Sequence, residues 1–198
     1  MSILLAYKKD GKVFMATDTV VVSSNNMMYE TAEDDLKIRK SPSGILVGVT
    51  GDRILRQNVF TFLDCFTTDE NGDLTKKHIS LKIVPKLFSG LSDLDSIRRR
   101  EDDSTPYMNT SILLAYKDKL FEICNDFAVY RYEKSQALGK AADFAAYALA
   151  NVDENRDMKE QFEKILALVA KHGRNVAPPF VMINTEEEEY EFIGGEKC

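Results

Sequence analysis

The chain has little of what metal sites and histidine-based enzymes are made from. Its three cysteines, Cys65, Cys124 and Cys198, are an odd, scattered set without a CxxC pair. That argues against a disulfide framework and against a structural zinc site. Cys65 and Cys124 lie in apolar runs and are expected to be small buried hydrophobes. Only two histidines, His78 and His172, are present, so catalysis built on an imidazole has few candidates, and no metal or cofactor is expected. No apolar run approaches the ~18 residues of a membrane-spanning helix. The apolar start covers only Ile3–Tyr7 with no basic stretch before it, unlike a secretory signal. A cytoplasmic protein with no membrane partner is expected. A basic excess is missing too: the net charge is -6, which speaks against a broad nucleic-acid footprint. The one basic run, Arg98-Arg99-Arg100, is followed at once by Glu101-Asp102-Asp103 and reads as a self-neutralising solvated loop.

What is present begins at the N-terminus. Ile3–Tyr7 and Lys12–Asp18 are β-rich runs joined by Lys9-Asp10-Gly11-Lys12, and Asp-Gly between such runs predicts a tight hairpin. A hydroxyl residue, Ser2, follows Met1, and Asp18 closes the second strand. Val20-Val21-Val22 continues as β, Ser23–Met28 reads as a turn, and Glu30–Asp35 as an exposed acidic stretch. Leu36–Arg39 and Gly44–Thr50 read as a strand pair turned by Ser41-Pro42-Ser43-Gly44. The sequence then changes period. Leu55, Val59, Phe62 and Phe66 predict a helix over 51–66. Ile83, Leu87, Leu91 and Leu94 predict another over 79–97, weakened by Pro85 and Gly90. Thr67–Lys77 and Arg98–Pro106 read as polar and charged loops.

Ser111-Ile112-Leu113-Leu114-Ala115-Tyr116-Lys117 repeats Ser2–Lys8 residue for residue. The spacing is far too long for a solenoid, so the repeat predicts two equivalent strands in a pseudo-symmetric pair of sheets, the copy pairing with the original. Leu120–Cys124 and Ala128–Tyr132 follow as strands. A helix is expected over 139–150 with Phe144, Tyr147 and Ala148 on its inner side. A second is expected over 157–172 with Met158, Phe162, Ile165 and Val169 inward, Asp157 as N-cap and Gly173 as C-cap. Phe180–Asn184 and Tyr190–Ile193 are the last strands, and the acid run Glu186–Glu189 between them is a solvated turn or an edge guard. At 198 residues the chain is expected to be one domain, 1–198. Strands, two helices, strands, two helices and strands fit an α+β fold, a four-layer α-β-β-α sandwich.

In order and spacing, these motifs resemble the proteasome β-subunits and their bacterial peptidase-ring relatives, among the N-terminal-nucleophile hydrolases. Ser2–Tyr7, Asp10-Gly11 and Ala16-Thr17-Asp18 resemble the family's opening strand, turn and strand end. Lys37-Ile38 resembles the Lys followed by Ile or Val in its next strand. Gly48-Val49-Thr50-Gly51-Asp52 resembles its small-residue turn into the first helix. Ala137-Leu138-Gly139 with Phe144-Ala145 resembles the segment entering the third helix. The resemblance spans nearly the whole chain.

The family's chemistry implies that Ser2, freed by removal of Met1, is the nucleophile and that its own α-amine is the base, which dispenses with histidine. An α-amine titrates near ~8, so modest tuning suffices. By the same resemblance Lys37 is the neighbouring cation, Asp18 the acid that anchors it, and the turn Gly48–Gly51, including Thr50, supplies a backbone oxyanion donor, with Gly139 supporting. Lys37 arrives late, implying a short insertion within Val20–Asp35. The chain departs from the pattern in having Ser for Thr at the nucleophile, Lys140 for a supporting Ser, and no Asp…Ser-Gly support in Lys171–Asn175. The implied function is a peptidase acting on peptide or protein substrates in a homo-oligomeric ring, with an ATP-dependent unfoldase as partner. An inactive ring subunit, or an amidohydrolase or transpeptidase using the same acyl-enzyme, remains an alternative.

Overall fold

The computed structural model describes residues 3–22, 28–30, 35–99, 105–139, 141–172 and 176–194. Two five-stranded antiparallel sheets carry the architecture. The first runs β12 (Ser135–Gly139), β1 (Ile3–Lys9), β2 (Lys12–Asp18), β13 (Phe180–Asn184), β14 (Glu191–Ile193). The second runs β11 (Val129–Tyr132), β10 (Lys119–Ile123), β9 (Ile112–Tyr116), β6 (Leu46–Val49), β5 (Ile38–Lys40). Short ladders join β3 (Val20–Val22) to β4 (Met28–Glu30) and β7 (Arg98–Arg99) to β8 (Pro106–Tyr107). The first hairpin turns at Asp10 and Gly11, whose φ angles are 51° and 77°. Two consecutive positive φ values are the turn that follows the right-handed twist of the strands.

The repeated heptapeptide occupies equivalent places. Ile3, Leu5 and Tyr7 of β1 face a cluster with the helices at 142–149 and 158–172, while Leu4 and Ala6 face the other sheet. In β9 the parity is the same: Ile112 and Leu114 face the helices at 53–61 and 84–93, and Leu113 and Ala115 face the first sheet. Identical sequence follows from identical alternation, because a strand with both faces buried is apolar throughout. The expected pairing of the two copies does not occur. β1 is bonded to β12 and β2, and β9 lies opposite it in the other sheet.

α1 (Arg53–Thr61) starts behind Asp52, whose carboxylate accepts the N–H of Ile54 at 2.9 Å. α2 (Lys76–His78), a π-helical turn Ile79–Ile83 and α3 (Val84–Asp93) run on without a break, and Pro85 is the second residue of α3, directly after the π-helical turn. Gly90 is there for contact: a Cβ on it would lie 2.6 Å from the Phe62 ring. Leu94, expected inward, is instead exposed beyond the end of α3.

Three further expectations are corrected. The segment 135–139 is a strand, β12, and α4 (Ala142–Leu149) begins only after it. α4 buries Ala145 and Leu149 and turns Phe144 and Tyr147 outward, at 61% and 78% exposure. Small residues allow this helix to lie close to the sheet, which reverses the face chosen by side-chain size. Cys65 and Cys124 are partly buried rather than enclosed. The remaining helix, α5 (Met158–His172), buries Met158, Phe162, Ile165 and Val169 as its period predicts, and Asp157 accepts the N–H of Lys159 at 3.0 Å. Gly173 lies outside the described residues. The acid run after β13 is partly neutralised by Lys12 with Glu186 and Lys40 with Glu188, at 3.4 and 2.6 Å. No helix among the described residues is long and apolar enough to cross a membrane.

Candidate active site

β2 ends at Asp18, fully buried, where β1 begins beside it. The register Leu4↔Thr17 brings the Asp18 carboxylate next to Ile3, and Oδ1 accepts the Ile3 N–H at 3.0 Å. Lys37, just before β5, reaches in from the second sheet's edge. Its Nζ donates to Asp18 Oδ2 at 2.6 Å and to the Val20 carbonyl at 2.7 Å. The two side chains are 1% and 0% exposed, which makes this an enclosed ion pair. Burial pushes the Lys37 ammonium below its ordinary pKa, and the Asp18 carboxylate opposes that shift. Thr17 completes the corner by donating its hydroxyl to the Ile3 carbonyl at 2.7 Å. The backbone of Ile3 is therefore held at both its N–H and its C=O.

The other residues singled out by sequence fall into two groups. Gly51 and Thr50 lie at the turn between β6 and α1. Gly51 has φ 97°, and a Cβ there would sit 2.5 Å from the Asn109 carbonyl oxygen. A left-handed conformation and a close backbone approach both demand glycine. The turn's other amides are engaged: Val49 N–H to the Lys37 carbonyl, Thr50 N–H to Ser111 and Asp52 N–H to Asn109, at 2.9, 3.3 and 3.4 Å. Gly139 ends β12 directly opposite Ile3, with φ 113°. Gly48 sits elsewhere. It is inside β6, paired with Ile38 and Leu113, and a Cβ would meet Met15 and Leu4 at 2.6 and 2.7 Å. Its role is to let the two sheets approach. Ser2 and Lys140 lie outside the described residues.

Sequence reasoning passed over Thr17, Asp35 and Arg56. Arg56 interrupts the apolar stripe of α1 between Leu55 and Val59, and a charged residue inside such a stripe was the signal available. Among the described residues, no three His, Cys, Asp or Glu side chains are grouped as metal ligands would be.

The fold these elements define is proteasome-like. Among solved structures the chain resembles BPH of Thiobacillus denitrificans, with 18% identity, TM-score 0.74, and 92% and 96% of the two chains covered. The same protein in complex with epoxomicin aligns at 14% identity and TM-score 0.74, over 92% and 97% of the chains. Anbu, an ancestral β-subunit from Yersinia bercovieri, aligns at 11% and 0.68, over 96% and 86%. HslV of Trypanosoma brucei aligns at 15% and 0.61, over 92% and 98%. The sequence matches no family model and no curated protein.

Proposed function

We propose that the chain is a proteasome-like peptidase whose nucleophile is Ser2, exposed by cleavage of the Met1–Ser2 bond. The observation that carries this reading is the enclosed Asp18–Lys37 pair bonded to the amide of Ile3, the residue joined to Ser2. An ion pair this buried is seldom favourable for stability alone, and here it stands one peptide bond from a hydroxyl residue. In the proposed reaction the Ser2 hydroxyl oxygen bonds to the scissile carbonyl carbon and its proton passes to the Ser2 α-amine. The resulting oxyanion is assigned to the Gly51 N–H, since the neighbouring amides of its turn are engaged. Collapse breaks the C–N bond, and the amine returns the proton to the leaving group. Water then cleaves the ester with the same amine as base. Lys37 favours the neutral amine by like-charge repulsion and Asp18 fixes Lys37.

The three core clusters, one between the sheets and one under each helix pair, support the four-layer α-β-β-α arrangement and a single domain. A homo-oligomeric ring, with an ATP-dependent unfoldase feeding it peptide chains, is the assembly this reading implies.

Epoxomicin, the compound bound to the BPH neighbour, is the probe. The purified native protein is expected to begin at Ser2 and to gain one epoxomicin mass there, and Ser2→Ala is expected to abolish peptide hydrolysis and labelling with an unchanged melting temperature. Retention of the Met1–Ser2 bond, or absence of labelling as an inert subunit requires, overturns the proposal. Product formed only with an added amine would redirect it to acyl transfer.

A further inference from the structure

The second copy of the duplicated heptapeptide lies beside the turn that carries the assigned oxyanion donor. β9 pairs with β6 as far as Ile112 opposite Val49. The ladder then runs on past both strands. The Thr50 N–H donates to the Ser111 carbonyl at 3.3 Å, and the Asp52 N–H to the Asn109 carbonyl at 3.4 Å. The chain entering the copy, Asn109-Thr110-Ser111, is therefore bonded to the turn on either side of Gly51.

The Gly51 N–H itself meets no acceptor among the described residues. A Cβ on Gly51 would stand 2.5 Å from the Asn109 oxygen and 3.1 Å from both Cα and Oγ1 of Thr110. Glycine thus lets the turn settle directly on these atoms. The planar peptide holds the N–H opposite the preceding carbonyl carbon, and at φ 97° the Cβ position is nearly trans to that N–H about the N–Cα bond. The face of Gly51 that rests on Asn109 and Thr110 is the one turned away from its amide hydrogen. One side is backed by protein, and the other presents the donor.

Within that backing, Thr110 is the part supplied by a side chain. It is buried, at 6% exposure. Its hydroxyl donates to the Ser111 carbonyl at 3.4 Å, the same oxygen that accepts the Thr50 N–H. Oγ1 therefore both backs Gly51 and shares the acceptor that closes the turn.

We infer that Thr110 is a positioning residue for the oxyanion donor, acting through Gly51. This rests on the peptidase reading. A Val at this position sets a methyl group where Oγ1 lies and donates nothing, while an Ala leaves the place empty. Either change lets Gly51 shift and turns its N–H away from the developing charge, and a donor that must reorganise stabilises that charge less than a fixed one. The loss falls on the chemical step, because the contact strengthens only as charge develops.

The test is the rate of epoxomicin labelling, since the ketone of that probe offers Ser2 a carbonyl in place of the scissile one. Full-length wild type, Thr110→Ala, Thr110→Val and Thr110→Ser are mixed with epoxomicin at several concentrations, and intact masses are followed in time. This gives a limiting rate and a half-saturating concentration for each protein. Ala and Val are expected to lower the limiting rate about five- to tenfold, part of the roughly hundred- to thousandfold lost when a whole oxyanion donor is removed. Half-saturation should stay within about twofold, because ground-state binding is untouched. Ser keeps Oγ1 and should match the wild type within about twofold in both quantities. Thr110 loses only one long bond in these variants, so they are expected to fold, and melting curves verify it. A merely structural role would lower the melting temperature and leave the limiting rate of the folded protein alone. A folded Ala or Val variant labelled at the wild-type rate, a change confined to half-saturation, or a Ser variant as slow as Ala overturns the inference and leaves the peptidase reading standing. A wild-type protein that epoxomicin does not label overturns both.

Discussion

Asp18→Asn tests whether the enclosed ion pair acts as one coupled unit. The change is nearly isosteric, and the asparagine oxygen still accepts the Ile3 N–H that Asp18 Oδ1 holds at 3.0 Å. What it removes is the partner charge 2.6 Å from Lys37 Nζ, in a pair 1% and 0% exposed. Leaving one member of such a pair charged, buried and uncompensated costs about 3–5 kcal/mol. A chain of 198 residues unfolds with an entropy near 0.4 kcal/mol/K, so the loss corresponds to a melting temperature lower by about 7–12 °C. Lys37→Met should cost a similar amount, because it strands the carboxylate instead. The decisive sample is the double variant. With both charges gone there is nothing left to strand, so its loss should fall short of the summed single losses by at least about 2 kcal/mol. Urea unfolding at pH 7, by far-UV circular dichroism, gives all three values. Additive losses, or a single-variant loss below about 1 kcal/mol, would show that the pair is solvated and that its proposed electrostatic hold on the site is absent.

Gly51→Ala should destabilise by about 1–3 kcal/mol, measured in the same assay, because φ is 97° and the new methyl group would collide with the Asn109 carbonyl. An unchanged midpoint would refute the stated turn geometry. Burial pushes the Cys65 and Cys124 thiols up to about 12. Alkylation of both by iodoacetamide at pH 8.5 should therefore run at least about a hundredfold slower in the folded protein than in urea, followed by peptide mass spectrometry. The linkage has a definite sign. The folded pKa lies above the unfolded value near 8.5, so these thiols favour the folded state below that pH, and their contribution is lost as pH rises toward 12. Alkylation at the unfolded rate would contradict the placement of both residues.

Much of the fold could be read locally. The Asp10-Gly11 turn, the period of α5 and the alternation of β1 and β9 are each decided by residues near in sequence. Face assignment failed where packing distance overrode side-chain size, as in α4, where alanines approach the sheet and Phe144 and Tyr147 turn away. β12 was missed because its pairing with β1 is long-range and its residues carry little β preference of their own. Leu94 failed because α3 ends one residue before it. At the site, Asp18 and Lys37 were legible through resemblance to a family pattern. Nothing local reveals that a lysine nineteen residues away is enclosed against Asp18. The seating of Gly51 against Thr110 depends on a turn folding back over the head of a distant strand, which no spacing rule anticipates.

The duplicated heptapeptide gives the molecule an internal control. Ser111 heads the same seven residues as Ser2 and leads into a strand equivalent to β1, but its nitrogen stays tied in a peptide bond to Thr110 when the proposed cleavage of Met1–Ser2 frees that of Ser2. It has the hydroxyl and lacks the basic amine. A reagent that needs both functions must pass over Ser111, whereas one that merely favours this sequence would find two targets. Every labelling experiment on this chain therefore carries its own measure of how much reactivity belongs to the amine.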